Sequence, residues 1–249
     1  MHRENIHFKY IEEKNNSTTF SIVICTYNNA EYIRKAIESV MNQEVSNWEL
    51  IIINDGSTDH TLEILAPFRN NPTVQIISLE QNRGKAYCLN IALHAARGTW
   101  LVELDSDDWL EKNALLVLDE VVETGVAAYY GNYAEWREYL RDKKLSFSKV
   151  IKGLPNFTAS YYLENAYPLA PRIYQIDFLR KIGGWHTKDI YQSRLFEDVY
   201  ILCAISKQGK VGHIDKLLYH RRLRRGSVSA QQREVFEKWR DWVRMELSI

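Results

Sequence analysis

The sequence predicts an α/β protein with a mostly parallel central sheet flanked by helices, and three observations carry that reading. Apolar runs of strand length recur at Phe20–Cys25, Trp48–Ile53, Val74–Leu79 and Trp100–Leu104. Each breaks into a polar turn followed by a helix-forming stretch, and this alternation is the signature of right-handed βαβ units. The chain has 249 residues with 45% hydrophobic side chains, enough for one sizeable core.

Taken in order, residues 1–18 are polar and aperiodic and read as a leader, with Ile6, Phe8 and Tyr10 able to pair as an edge strand. The first strand ends in Thr26-Tyr27-Asn28-Asn29. A helix starting near Glu31 then places Ile33, Ile37, Val40 and Met41 on one face. The second strand enters Asn54-Asp55-Gly56-Ser57-Thr58-Asp59, where Gly56 permits a tight turn and Ser57 or Thr58 can cap the next helix. The third leads through Gln81-Asn82-Arg83-Gly84-Lys85 into a helix over Ala86–Ala96. The fourth breaks into Asp105-Ser106-Asp107-Asp108, with a helix from about Asn113. Parallel order sets these four turns along one sheet edge, the edge at which open α/β sheets bind ligands.

That edge is rich in chemistry. Three carboxylates at Asp105, Asp107 and Asp108 repel one another unless a cation or hydrogen-bond donors compensate, and a hard divalent ion accepts one or two carboxylates plus substrate phosphates. The plainer alternative is that Asp107 or Asp108 caps the following helix. Asp55 can accept hydrogen bonds from a nucleobase or ribose and Arg83 can contact base or phosphate, against the alternatives of a turn residue and a solvated cation.

The second half is less regular. Val126–Tyr133 reads as a strand, Glu135–Ile151 as a ribbon or short helix, and 153–171, with three prolines, as loops. Tyr161, Tyr162 and Tyr167 suit either a sugar ring or a core. Glu197 and Asp198 precede a helix, where acids stabilise the N-terminus whatever else they do. The tail from about Ala230 is amphipathic, with Val235, Trp239, Trp242 or Val243, and Leu247 at helical spacing.

Composition excludes several classes. Lys plus Arg and Asp plus Glu number 32 each, so no bulk charge draws the chain to nucleic acid, and the arginines of 221–225 come without a stacking pattern or binding motif. Cys25, Cys88 and Cys203 form no C-x-x-C pair and read as reduced core residues. No apolar run reaches the ~18 residues of a bilayer span, and no signal-peptide centre is present, which points to a cytoplasmic protein. The mixed charge of the tail favours packing on the domain or a second subunit over an interfacial helix, while peripheral membrane association and a homodimer stay open.

SIVICTYNNAEYIRKAIESVMNQ, WELIIINDGSTDHT and NRGKAYCLNIALHAARGTWLVELDSDDWL together resemble the nucleotide-sugar-binding half of the family 2 inverting glycosyltransferases, continuously over about residues 19–112. The resemblance implies the GT-A fold, a Rossmann-like sheet with a less regular acceptor-side half. It divides the chain into a leader 1–18, one catalytic domain 19–229 (halves 19–112 and 113–229) and a C-terminal helix 230–249. It implies that Thr26, Tyr27 and Asn28 line the nucleotide pocket and that Asp55 and Arg83 hold the base. Asp105-Ser106-Asp107 would be the D-x-D motif, with Asp107 the principal ligand of Mn2+ or Mg2+. Gly183-Gly184-Trp185 and Glu197-Asp198 extend the resemblance: Asp198 matches the catalytic base, with Glu197 and Trp185 orienting the acceptor side.

Tyr219–Ser229 is similar to the family's late loop, Y-R-x-H-x-x-S-x-S, but departs from it. Arg222 takes the arginine slot and Arg224 the histidine slot, which suits neutralising a pyrophosphate and disfavours metal ligation by His220. The implied function is metal-dependent inverting transfer from a nucleoside diphosphate sugar, UDP- or TDP-linked, to a hydroxyl of a glycan, lipid-linked glycan or other glycoconjugate in a bacterial cytoplasm, with a place at the inner face of the membrane left open. The alternatives are a sugar-phosphate nucleotidyltransferase, whose glycine-rich loop is missing after the first strand, and a non-catalytic nucleotide-sugar-binding scaffold.

Overall fold

The structure is a computed structural model that describes residues 19–139, 141–165, 168–189, 191, 195–224 and 233–249. The expectations for the leader 1–18, Tyr167, Arg225, Ser227 and Ser229 lie outside the described residues.

The first half is the expected alternation. Strand β1 (Phe20–Thr26) leads to α1 (Ile33–Met41), and β2 (Trp48–Asn54) to α2 (Thr61–Leu65). Strand β3 (Val74–Ser78) leads to α3 (Lys85–Ala95), and β4 (Trp100–Glu103) is followed by a two-residue β5 (Trp109–Leu110) and α4 (Ala114–Val121). β1 pairs in parallel with both β2 and β4, and β2 with β3. The apolar runs are continuous because both faces are covered. Ile22, Ile24, Leu50 and Ile52 pack on α1 and α4, whereas Val23, Ile51 and Ile53 point to the opposite layer with α3. Helix α1 contributes Ile33, Ala36, Ile37 and Val40, the i, i+3, i+4, i+7 stripe of a helix buried along one face.

The second half extends this sheet with antiparallel pairs. It comprises β6 (Val126–Glu138), β7 (Leu145–Ile151), α5 (Ala159–Asn165), β8 (Arg172–Gln175), α6 (Ile176–Lys181), α7 (Glu197–Ser206), β9 (Lys210–Leu223) and α8 (Arg233–Leu247). The strand order is β3-β2-β1-β4-β8-β6-β9-β5, with β7 paired to β6. β8 lies antiparallel between β4 and β6, while β6 and β9 run in parallel. The ribbon expected over Glu135–Ile151 is the β6–β7 hairpin.

Two readings change. The 153–171 stretch contains α5: its prolines flank the helix instead of interrupting it, and Tyr162 and Leu163 anchor it in the core. Tyr162 is therefore a core residue at 4% exposure, while Tyr161 faces solvent at 43%. Tyr219–Leu223, read as loop, is the end of β9. Its Tyr219 and His220 pair with Leu110 and Trp109 of β5, which clamps the acidic turn after β4 against the sheet.

The apolar face of α8 packs on its own domain, where Phe236, Trp239, Val243 and Leu247 join the core beside α3 and α7. Among the described residues no helix is long and apolar enough to cross a membrane. Cys88 and Cys203 are buried, Cys25 is partly so, and all three are free thiols.

Candidate active site

The turns at the carboxyl ends of β1, β2 and β4 are tied to one another by their own side chains. Asn28 adopts a left-handed conformation (φ 48°), which Asn tolerates better than most residues. Its Oδ1 accepts from the backbone N–H of Thr58 at 2.7 Å, joining the turn after β1 to the turn after β2. Asn29 Nδ2 donates to Ser106 Oγ at 2.7 Å, joining it also to the acidic turn. Asp55 is buried, and its two carboxylate oxygens accept from the N–H groups of Arg83 (2.7 Å) and Gly84 (2.9 Å). The carboxylate expected to meet a base therefore also shapes the entry to α3. Gly56 is needed at this crossing: its φ is 70°, and an added Cβ would stand 2.6 Å from the backbone of Gln81. Thr26 is buried, while Tyr27 is 48% exposed and Arg83 lies 4.4 Å over the ring of Tyr87.

Behind these turns lies a charged cluster that sequence reasoning missed in part. Glu103, 1% exposed on β4, pairs with Lys85 Nζ at 2.7 Å and Arg172 Nη2 at 2.8 Å. Lys85 also contacts Asp105 and reaches Glu197 Oε1 at 3.5 Å. Arg172 further meets Asp105 Oδ2 at 3.2 Å and Asp198 Oδ2 at 3.1 Å. Four acids thus share two cations, the arrangement that lets buried charge persist. Burial alone would raise the Asp105 carboxyl, but Lys85 and Arg172 outweigh it and hold Asp105 well below the usual carboxylate range. Burial pushes Glu197 up to about 7, against the pull of Lys85. Neighbouring carboxyls with such different proton affinities are a feature of acid–base sites.

The third group sits under β9. Asp108 is buried, and burial first, then the charges of Asp107 and Asp105, raise its carboxyl well above the ordinary value. It accepts from Tyr219 Oη at 2.9 Å and from the Arg222 N–H at 2.7 Å, so it anchors β9. Arg222 Nη1 pairs with Glu138 Oε2 at 2.5 Å, and Arg224 Nε with Asp107 Oδ2 at 2.9 Å. Both guanidinium groups lie within 4.8 Å of the Tyr32 ring centre. A cleft of about 420 Å³ opens beside them, bordered by Asn28, Tyr32, Glu138, Lys143 and Arg224.

Among the described residues no group of three or more His, Cys, Asp or Glu side chains is placed to hold a metal by itself. Mg2+ or Mn2+ shared with a diphosphate takes only one or two protein carboxylates and completes its shell from phosphate and water, so a carboxylate of the acidic turn would be enough to hold one. In the acidic turn the side chains of Asp105 and Asp107 are 31% and 22% exposed, Asp105 held by Lys85 and Arg172 and Asp107 by Arg224. His220 offers no such lone pair: its Nδ1 accepts from Trp136 Nε1 at 3.0 Å, leaving Nε2–H to donate to Glu111 at 2.9 Å.

Asp198 and Glu197 occupy the first turn of α7, Asp198 with its side chain 24% exposed. Trp185 is buried at 2% exposure, and Asn90 clamps its backbone through bonds of 2.7 and 2.8 Å to its carbonyl and N–H. Lys85, Glu103 and Arg172 were not singled out by sequence. The available signal was a lone charge inside an apolar stretch, Glu103 in WLVEL and Arg172 in LAPRIY, since such a residue is buried only with a partner.

This architecture is the GT-A fold. Staphylococcus aureus TarS 1–349 in complex with UDP-GlcNAc superposes with a TM-score of 0.68 at 22% identity, covering 92% of this chain and 66% of that one. The mannosyltransferase PcManGT from Pyrobaculum calidifontis, in complex with GDP-Man and Mn2+, gives 0.61 at 16% identity, covering 86% and 59%. In sequence, the pattern of Glycosyl transferase family 2 matches residues 21–179. A chondroitin synthase of Pasteurella multocida (strain Pm70) and a hyaluronan synthase of Pasteurella multocida are each 30% identical over 236 residues, 88% of this chain. The chain belongs to glycosyl transferase family 2, and it spans 22% of the length of those two relatives.

Proposed function

We propose that the protein is a metal-dependent inverting glycosyltransferase that moves a sugar from a nucleoside diphosphate sugar, UDP- or TDP-linked, to a hydroxyl of a glycan, lipid-linked glycan or other glycoconjugate. The observation that carries the reading is the bridge between two carboxylates on different elements: Arg172 contacts both Asp105, at the donor edge, and Asp198, at the start of α7. A donor-side acid and a base candidate are thereby held in one cluster, as a single-displacement reaction requires. The UDP-GlcNAc and UDP complexes of TarS support a uridine donor, and the names of the Pasteurella relatives support a glycan acceptor.

In this reading Thr26, Tyr27, Asn28, Asp55 and Arg83 receive the nucleoside, Asp105 and Ser106 its ribose side, and Asp107 the metal. Arg222 and Arg224 face the diphosphate. Asp198 takes the proton of the acceptor hydroxyl as its oxygen attacks the anomeric carbon from the face opposite the diphosphate. The bond from that carbon to the phosphate oxygen breaks with its electron pair going to the diphosphate, so configuration inverts. The arginines stabilise the negative charge that develops there. A bound Mn2+ or Mg2+ supplies further Lewis-acid stabilisation of the leaving group. Glu197 and Trp185 orient the acceptor side without accepting the proton. A cytoplasmic setting goes with these donors.

The test is a panel of UDP-, TDP- and GDP-sugars with Mn2+ or Mg2+, read as nucleoside diphosphate release with glycan oligomers as acceptors. Metal-dependent release from one donor supports the assignment; nucleotide binding without release would point to a non-catalytic scaffold, and neither release nor binding under any condition would overturn the donor-site reading.

A further inference from the structure

Arg172 is the first residue of β8, and its backbone sits in the middle of the sheet, opposite Glu103 of β4 on one side and Tyr130 of β6 on the other. Its side chain is 6% exposed. One nitrogen, Nη1, donates to Asp198 Oδ2 at 3.1 Å and to the Leu169 carbonyl at 3.3 Å. The other, Nη2, donates to Glu103 Oε1 at 2.8 Å and Asp105 Oδ2 at 3.2 Å.

The second cation of the cluster does not duplicate this set. Lys85 reaches Glu103, Asp105 and Glu197. Glu103 and Asp105 are therefore paired twice, whereas among the described residues Asp198 has its ion pair with Arg172. The other oxygen of Asp198, Oδ1, accepts from the Val199 N–H at 3.0 Å. The carboxylate is thus held at both oxygens, by the α7 backbone and by a guanidinium rooted in the central sheet.

We infer that Arg172 is a positioning residue for the proposed transfer: its planar fork fixes the Asp198 carboxylate relative to the donor-side Asp105. It acts through these two acids, whose side chains are 24% and 31% exposed, while its own buried head stays behind them. A lysine ammonium is a point donor on a flexible stem and cannot span the two carboxylates in the same rigid geometry. Loss of the fork therefore loosens Asp198, while Glu103 and Asp105 each keep their contact with Lys85. A small misplacement of a reacting group lowers turnover on the order of 100-fold while leaving binding of the nucleotide, at the other end of the site, intact.

The inference rests on the proposed transferase reading, and the experiment separates the two. Nucleoside diphosphate release would be measured with the best donor of the panel, and UDP affinity by calorimetry, for wild type, Arg172→Lys, Arg172→Ala, Asp198→Asn and the Arg172→Lys/Asp198→Asn double variant. Circular dichroism would establish which variants are folded. Expected for Arg172→Lys is a fall in kcat of about 100-fold with the UDP Kd within about threefold of wild type. Guanidinium ion added at millimolar concentration restores part of the kcat of Arg172→Ala, and the double variant is no slower than Asp198→Asn alone. If Arg172→Ala does not fold, the lysine variant and the double variant decide. Unchanged kcat in folded Arg172→Lys, equal losses in kcat and UDP affinity, or additive losses in the double variant would overturn the positioning role. Wild type without turnover would overturn the transferase reading and this inference with it, whereas Asp198→Asn with full turnover would overturn this inference alone and assign the proton transfer elsewhere.

Discussion

The Asp107 carboxylate accepts a hydrogen bond from Nε of Arg224 at 2.9 Å, so the acid proposed for the metal and the arginine proposed for the diphosphate are direct partners. A cation arriving at Asp107 and a diphosphate arriving at Arg224 each offer a new partner to one member of the pair. Binding of the two is therefore expected to be coupled. UDP titrated calorimetrically should bind more tightly with Mn2+ than without, and Asp107→Ala should abolish that difference. Arg224→Ala should weaken UDP binding about 10- to 100-fold, the worth of one charge-assisted contact. Equal UDP affinity in wild type and Arg224→Ala would remove the arginine from the diphosphate site.

Asp198 is the base in the proposed reaction, and its side chain is the exposed end of the Arg172 contact. Asparagine preserves the shape and cannot accept the proton. Asp198→Asn is expected to lose about 10²- to 10⁴-fold in kcat with UDP affinity unchanged. Retention of wild-type turnover would assign the proton transfer elsewhere.

The strands β1 to β4 were legible in sequence because each is a short, predominantly apolar run bounded by polar turns. β8 was not: it opens on Arg172 directly after Pro171 and closes on Gln175, so only Ile173 and Tyr174 lie between two polar ends and its composition does not announce a buried strand. β9 failed for a related reason, since its 14 residues include His213, Asp215, Lys216, His220, Arg221 and Arg222, and such charge reads as loop until β5 and β6 are known to flank it. The site divides the same way. Asp105, Asp107 and Asp198 stand in motifs of adjacent residues, but the cluster joining them depends on Arg172 meeting Glu103 across 69 positions and Asp198 across 26. No local spacing encodes that encounter.

Helix α8 offers a stability test of its docking. Trp239 is fully buried, stands 5.1 Å from the Phe196 ring and donates from Nε1 to Asp189 Oδ2 at 2.9 Å. Trp239→Ala removes that contact and leaves a cavity, at a cost of about 3–5 kcal/mol, or a fall in Tm on the order of 10 °C for a chain of this size. Met245→Ala, at a residue 75% exposed on the same helix, is expected to change stability by less than about 0.5 kcal/mol. Thermal melts of the two variants check this; equal Tm values would mean that α8 does not hold the domain together.

Glu197 predicts how stability responds to pH. Burial raises its carboxyl from the ordinary 4.5 to about 7, so the folded state holds its proton where the unfolded chain has released it. Below about pH 4.5 both states are protonated and the group is neutral to stability. Between 4.5 and 7 the unfolded state loses its proton first, so folding stability falls as pH rises, and above 7 the full penalty is present. The side chain is 11% exposed and lies 3.5 Å from Lys85, which offsets part of the cost, so the penalty is on the order of 1–3 kcal/mol. Glu197→Gln keeps the shape and removes the titration. Urea denaturation at pH 5 and pH 8 should show the variant gaining on wild type by that amount at the higher pH, and an identical pH response in both proteins would place the Glu197 carboxyl at its ordinary value.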